Sequence, residues 1–370
     1  MSEWEIKQLH ELTEFIGRGI SPKYCKENGL LVINQKCIRN GRVDQTFSKL
    51  HNSVLKVVSD KKLLRLNDTL VNSTGVGTLG RVGLFRSTDT ATVDSHVTIV
   101  RAGVLIDRVF LFYNLYWRQD EIESMGEGST GQTELSRHRL GNLNIKLPKK
   151  EQQQAIAEVL SSIDDKIDLL NRQNETLEAM AQTLFRQWFI EEADDSWEEV
   201  KLSSIVQIRY GKNLPTKNMT DSGYPVCGAN GIIGFYSKYN YEYKQVLVSC
   251  RGEASGKVNF SPPKSYVTNN SLVLERISTV VSFEFLKYQA LNFEFKSFVT
   301  GSAQPQITIK NLELATITLP PSNLIENYSV LVRSFESKMD QNLKSVQILI
   351  KTRDTLLPKL MSGEVRVKLD

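Results

Sequence analysis

Apolar positions from residue 156 onward fall at Ile156, Val159, Ile163, Ile167, Leu170, Leu177, Ala181, Leu184 and Trp188, with Asn174 in the one missing heptad place. Spacings of three and four with a single narrow seam predict a long amphipathic helix over 156–188, about 50 Å long at 1.5 Å per residue. A shift of 172 residues gives a second, less regular seam: Tyr328, Leu331, Phe335, Met339, Asn342, Val346, Leu349, Arg353, Leu356 and Leu360. Neither narrow seam is stable in water, so the two helices are expected to pack on each other as an antiparallel coiled coil. The remaining chain reads differently. Short β-rich runs such as Val54–Val58, Val97–Val100, Val246–Val248 and Leu272–Leu274 are punctuated by Gly, Asn, Pro and Ser turns, with helical stretches predicted at Arg108–Trp117 and Phe283–Asn292.

The chain is an internal repeat. Trp4-Glu5-Ile6-Lys7-Gln8-Leu9 recurs as Trp197-Glu198-Glu199-Val200-Lys201-Leu202, and Leu70–Gly75 recurs as Leu247–Gly252. Gly128-Ser129 matches Gly301-Ser302, and each β-rich block closes on a strand-like run ending in Leu-Pro, at Leu147-Pro148 and Leu319-Pro320. A period this long indicates a duplicated domain plus helix rather than a solenoid. The expected class is α+β: two β-rich globular domains in a pseudo-twofold arrangement, at 1–147 and 196–319, joined by spacer helices in 148–195 and 320–370.

Charge sharpens this division. The 370 residues carry 46 basic and 42 acidic side chains, a net +4, too little to announce a nucleic-acid binder. The segments differ, however: 1–147 and 196–319 are each +4, 148–195 is −6, and 320–370 is +2. No run approaches the length of a membrane-spanning helix, and the opening Ser2-Glu3-Trp4-Glu5 lacks a secretory pattern, so a cytoplasmic protein is expected. Cys25, Cys37, Cys227 and Cys250 form no C-x-x-C pair and the four histidines are scattered, which suggests neither disulfides nor a zinc site.

Catalytic motifs fail their context tests. Gly75-Val76-Gly77-Thr78-Leu79-Gly80 matches G-x-G-x-x-G, but the following Arg81–Phe85 reads as a strand, whereas a dinucleotide site needs a helix there. Gly256-Lys257 is followed by Val258, so it lacks the hydroxyl of a phosphate-binding loop. No metal-protease, nucleophile-elbow or amino-methyltransferase signature is present, and the chain reads as non-catalytic. What remains is a set of loops mixing cations, amides and glycines. Solvated turns would look similar residue by residue, but together they suit DNA, because Lys and Arg attract phosphates while Arg, Asn and Gln read base edges. The candidate DNA-facing residues are Arg18, Lys23, Lys36, Arg39, Asn40, Arg42, Arg209, Lys212, Asn213, Asn230, Gln304 and Gln306. Helix packing is assigned to Ile156, Val159, Ile163, Ile167, Leu170, Leu177 and Leu184 against Leu331, Phe335, Met339, Val346, Leu349 and Leu356.

The closing Leu356-Leu357-Pro358-Lys359-Leu360-Met361-Ser362-Gly363-Glu364-Val365-Arg366-Val367 resembles the C-terminal end of specificity subunits of type I restriction-modification systems. The segment from Leu147-Pro148 through Glu151-Gln152 and Ile163-Asp164-Asp165-Lys166-Ile167 to Thr183-Leu184-Phe185 is similar to that family's central region. Tyr224-Pro225-Val226 to Asn230-Gly231-Ile232-Ile233-Gly234 and Gly301–Pro305 resemble elements of its target recognition domains. The resemblance implies two target recognition domains, each reading half of a bipartite duplex DNA sequence, with spacers that set the gap. It implies two methyltransferase subunits that bring S-adenosylmethionine, restriction subunits that use ATP and magnesium, no cofactor in this chain and no membrane partner. A scaffold without sequence-specific DNA binding is the competing class; a fused methyltransferase–nuclease is disfavoured by the missing motifs.

Overall fold

The computed structural model describes residues 4–128, 133–301 and 304–369; Ser129 and Ser302 of the repeat, and Ala303, lie outside them. Contacts divide the chain into two units, Met1–Leu169 with Ser345–Asp370, and Leu170–Lys344. Among the described residues no helix is long and apolar enough to cross a membrane.

Unit 1 contains, in chain order, β1 (Glu5–Gln8), β2 (Thr13–Arg18), β3 (Tyr24–Cys25), β4 (Leu30–Ile33), β5 (Ile38–Arg39), β6 (Gly41–Val43), β7 (Lys49–His51), β8 (Thr69–Asn72), β9 (Val82–Leu84), β10 (Ala91–Val93), β11 (Val97–Ala102) and β12 (Asn144–Leu147). Its main sheet has the order β2-β11-β8-β9-β6-β5, a small sheet has β10-β4-β7-β3, and β1 pairs with β12. Every residue of β11 is buried, which is why its apolar run signals a strand without alternation. The one charge in it, Arg101, is neutralised by Asp68 at 2.7 Å and bonded to Leu63 O. The helix Arg108–Trp117 forms where the aliphatic–aromatic run predicts it. Asp107 starts it by accepting from Val109 N and Phe110 N, both at 2.9 Å, and its Phe110, Leu111, Tyr113 and Leu115 enter the core.

Unit 2 repeats this plan with β13 (Glu198–Lys201), β14 (Val206–Tyr210), β15 (Tyr224–Gly228), β16 (Gly231–Tyr236), β17 (Gln245–Ser249), β18 (Val258–Ser261), β19 (Tyr266–Val267), β20 (Ser271–Arg276) and β21 (Thr316–Leu319). The antiparallel order β14-β20-β17-β18 matches β2-β11-β8-β9, and β13-β21 matches β1-β12. The repeated Trp-Glu motifs occupy equivalent places: Leu9 N bonds Leu143 O and Leu202 N bonds Ala315 O, each at 2.8 Å. Phe283–Asn292 is the counterpart of Arg108–Trp117, capped by Ser282.

The long helices span Lys150–Arg186, continued by a wider turn over Gln187–Glu191, and Ser322–Ser362. Each passes from one unit into the other, and inside each unit the two pack antiparallel. In unit 1 Ile156 and Leu160 meet Leu357, Leu360 and Met361; in unit 2 Ala181, Leu184 and Phe185 share a core with Tyr328, Val332 and Phe335. All thirteen assigned packing residues are buried or half-buried. The core is wider than a heptad seam because each helix also receives its domain, which adds Leu160, Phe185, Ile325 and Val332. Asn174 and Asn342, which fall at different places along the two seams, are brought together by the antiparallel pairing: Asn342 Nδ2 donates to Asn174 Oδ1 at 2.8 Å and to Gln173 Oε1 at 2.9 Å.

One expected strand is absent. Val54–Val58 forms a loop because the Asn52 side chain accepts from Val54 N and Leu55 N at 3.0 and 3.1 Å, turning the chain at once.

Candidate nucleic-acid interface

In both units the same backbone hydrogen bonds bind three loops together at one end of the main sheet. In unit 1 the β8–β9 hairpin closes through Gly80 N to Asn72 O (2.9 Å), and Ser73 N reaches His96 O while Leu135 N reaches Ser73 O, both at 2.8 Å. In unit 2 the β17–β18 hairpin closes through Gly256 N to Ser249 O (2.9 Å), with Cys250 N to Asn270 O and Ile307 N to Cys250 O at 3.0 Å. The returning segments pair in the same way, Thr74 with Glu134 and Arg251 with Gln306. Gly75 (φ +100°) and Gly252 (φ +73°) begin the two turns in conformations that side chains resist. The glycine-rich motif is therefore a hairpin turn between strands.

What differs is the side chains on this common frame. Thr74, His96 and Glu134 of unit 1 stand where unit 2 has Arg251, Asn270 and Gln306. The Thr74 hydroxyl lies 2.7 Å from His96 Nδ1, and Glu134 is held by Arg18 at 2.6 Å. Unit 2 is more open: Arg251 is exposed and, among the described residues, makes no ion pair. Lys257 Nζ reaches Asn230 Oδ1 at 3.3 Å, and Asn259 Nδ2 fixes Ala229 O at 2.8 Å, which ties the β15–β16 turn to the frame.

The candidate residues divide by unit. In unit 2, Asn230 and Gln306 lie in this loop cluster; Lys212 joins it through its N–H to Val267 O (2.9 Å), and Asn213 O accepts from the Tyr266 hydroxyl. Gln304 is exposed beside Pro305, whose carbonyl accepts from Gly252 N. Arg209 lies on β14, paired with Glu275 at 3.4 Å. In unit 1 the residues are dispersed. Arg18 also donates to Leu135 O at 2.9 Å, so it braces the returning segment. Lys36 is exposed next to Gln35, whose carbonyl accepts from the Asn72 amide. Lys23 is exposed on the small sheet. Arg39 and Asn40 are exposed at the β5–β6 turn, where Asn40 (φ +52°) and Gly41 (φ +77°) form the tight two-residue hairpin of mirror-image type.

Arg42 does not stand free: it pairs with Asp168 of the first long helix, and Arg86 pairs with Asp165. Arg42, Asp168 and Arg86 line a cleft of about 630 Å³ with Tyr116, Asp164 and Arg353. Burial raises the Asp168 carboxyl above its ordinary range, with Arg42 opposing. Burial and the neighbouring Asp164 raise the Tyr113 phenol, whose hydroxyl donates to Asp164 Oδ2 at 2.7 Å. The acidic Asp164–Asp168 stretch is thus partly consumed in holding the domain and the second helix.

Arg251, Lys257, His96, Asn270 and Thr74 were not among the sequence candidates. Aligning the repeat at Leu70–Gly75 and Leu247–Gly252 places Thr74 opposite Arg251, and that position was the available signal.

A family model described as the type I restriction modification DNA specificity domain matches residues 1–179 and 194–325. The chain is 25% identical over 409 residues to the type I restriction enzyme MjaIX specificity subunit of Methanocaldococcus jannaschii, covering 99% of this chain and 94% of that one. It is 25% identical over 277 residues to a putative type I specificity subunit of Mycoplasma genitalium, covering 69% and 71%. The crystal structure of a type I restriction-modification S subunit from M. genitalium shares the fold, with a TM-score of 0.64 at 21% identity over 99% of this chain and 97% of that one. With the family match spanning most of both repeats, the chain belongs to the type I restriction-modification DNA specificity subunits.

Proposed function

We propose that the domains at 1–147 and 196–319 each read one half of a bipartite duplex DNA sequence, and that the helical spacers set the gap and dock two methyltransferase subunits. The observation that carries this reading is the loop frame built twice with one set of backbone hydrogen bonds and different side chains. A shared frame with exchanged side chains is what two readers of different half-sites require. In unit 2, Arg251 has the geometry class for guanine, Asn230 and Gln306 for adenine, and Lys212 and Lys257 for phosphates. The cationic loops suit DNA, and the −6 charge of residues 148–195 disfavours it there and suits protein docking. On this reading the chain is a non-catalytic cytoplasmic subunit. S-adenosylmethionine, ATP and magnesium are used by the methyltransferase and restriction partners.

The test is co-expression with a type I methyltransferase subunit of the same host, followed by mapping of methylated adenines in the host genome. Methylation confined to one split motif with a constant gap is expected. Arg251→Ala should relax one half of that motif by roughly 1–3 kcal/mol at one base pair and leave the other half intact. A stable complex that directs no sequence-specific methylation overturns the proposal and favours a scaffold.

A further inference from the structure

Besides its main sheet each unit has a small sheet, β10-β4-β7-β3 in unit 1 and β16-β15-β19 in unit 2, and the loop after β7 in the first and strand β16 in the second lift aliphatic side chains into solvent. In unit 1 these are Val54, Leu55 and Val57, which are 93%, 72% and 83% exposed; in unit 2 they are Ile232 and Ile233, 55% and 49% exposed. Neither is a frayed end. In unit 1, beyond the Asn52 turn, the fully buried His51 ring spans the loop: Nδ1 accepts from Lys23 N at 2.9 Å, and Nε2 lies 2.8 Å from Lys56 O. A neutral ring carrying its proton on Nε2 satisfies both contacts. In unit 2 the register of β16 against β15 slips between Val226 and Cys227, leaving Ile233 as the extra residue, so two consecutive isoleucines face outward.

The rims identify the occupant. Lys23, Lys49 and Lys56 flank the first tip, with Lys56 Nζ on Ser21 O and Lys49 Nζ 4.8 Å from the Tyr24 ring. The ion pairs of this region use Arg18, Arg42 and Arg65, and among the described residues none of these lysines. The second tip adjoins Asn230 and Lys257. Lysine is depleted from protein–protein interfaces, whereas an apolar tip with an ammonium rim matches a DNA groove: the ammoniums face phosphates and the aliphatic groups press on thymine methyls or a base step. We infer that Val54-Leu55 and Ile232-Ile233 are apolar reading tips, each pressed against the bases of the half-site that its own unit reads. This rests on the two-reader function proposed above.

The experiment uses the full chain co-expressed with the same methyltransferase subunit, with Val54→Ser/Leu55→Ser and Ile232→Ser/Ile233→Ser as paired variants. Ile232→Ser alone guards against disturbance of the hairpin, since Ile233 packs over Gly228. Co-purification and the genomic methylation map are both read. Each variant should retain the complex and either lose about tenfold of its methylation or spread to sites differing by one base pair, in its own half-site only. An unchanged motif and level overturns the inference while leaving the two-reader function standing. Loss of co-purification also overturns it, making the tips a protein-docking surface. A native chain that directs no split-motif methylation fails the underlying reading itself.

Discussion

Asp164 ties three elements of unit 1 together, and its removal has a calculable cost. Its Oδ2 accepts from the Tyr113 hydroxyl of the domain helix at 2.7 Å, and its Oδ1 accepts from Arg353 Nη1 of the second long helix at 2.8 Å. The two charged side chains are only 14% and 11% exposed, and Tyr113 is fully buried. Asp164→Ala removes the hydroxyl's bond to a carboxylate and leaves it Ser161 alone, about 1.5–3 kcal/mol for a hydrogen bond to a charged group. It also removes a poorly solvated ion pair, but Arg353 keeps Asp354 at 2.8 Å, so that part falls below the 3–5 kcal/mol of a fully orphaned charge. A total near 3 kcal/mol is expected, equivalent to a drop of about 6–12 °C in unfolding midpoint for a cooperative unit of this size. Differential scanning calorimetry measures it. In a Tyr113→Phe background the same substitution should cost at least about 1 kcal/mol less, because there is no hydroxyl to lose that bond. A midpoint within about 2 °C of the native chain, or additive single and double variants, would refute the assignment of Asp164 as the hub.

Three further outcomes are expected. Lys287→Met should destabilise unit 2 by about 2 kcal/mol in urea unfolding, because the half-buried ammonium lies between Glu178 at 3.1 Å and Glu336 at 3.3 Å and its loss leaves two carboxylates converging; an unchanged midpoint would show that solvent already screens them. Asn342→Leu alone should cost about 1–2 kcal/mol by stranding Asn174, while Asn174→Leu/Asn342→Leu should recover or exceed native stability in thermal melts. Burial raises the phenol of Tyr328, whose hydroxyl donates to Ala181 O. Below pH of about 10 it is protonated in both states; above that the unfolded chain releases the proton first, so stability falls by about 1.4 kcal/mol per pH unit until the folded phenol also ionises. Tyr328→Phe should reduce the alkaline slope by that amount in urea titrations between about pH 9 and 11.5, leaving the share of Tyr288, whose phenol burial also raises, and an unaltered slope would mean that the Tyr328 phenol ionises normally in the folded chain.

Much of the architecture was written in local periodicity. The seams at Ile156–Trp188 and Tyr328–Leu360, the Arg108–Trp117 and Phe283–Asn292 helices, the strand at Val97–Val100 and the duplication from Trp4 to Trp197 follow from spacing and self-similarity, which act over neighbouring residues and do not depend on distant parts of the chain. The site was less legible for the same reason. Val54–Val58 has the composition of a strand, yet the Asn52 side chain turns it before any neighbour can pair with it. Arg42 looks like any loop cation until Asp168, 126 residues later, is packed beside it. Asn174 and Asn342 sit out of register in the two seams and meet only because the helices run in opposite directions. Sequence alone determined the long helices, the domain helices and the duplication. Tertiary structure decided which charges are spent inside the fold and which remain outside, because pairing and solvation depend on what the rest of the chain brings within a few ångströms.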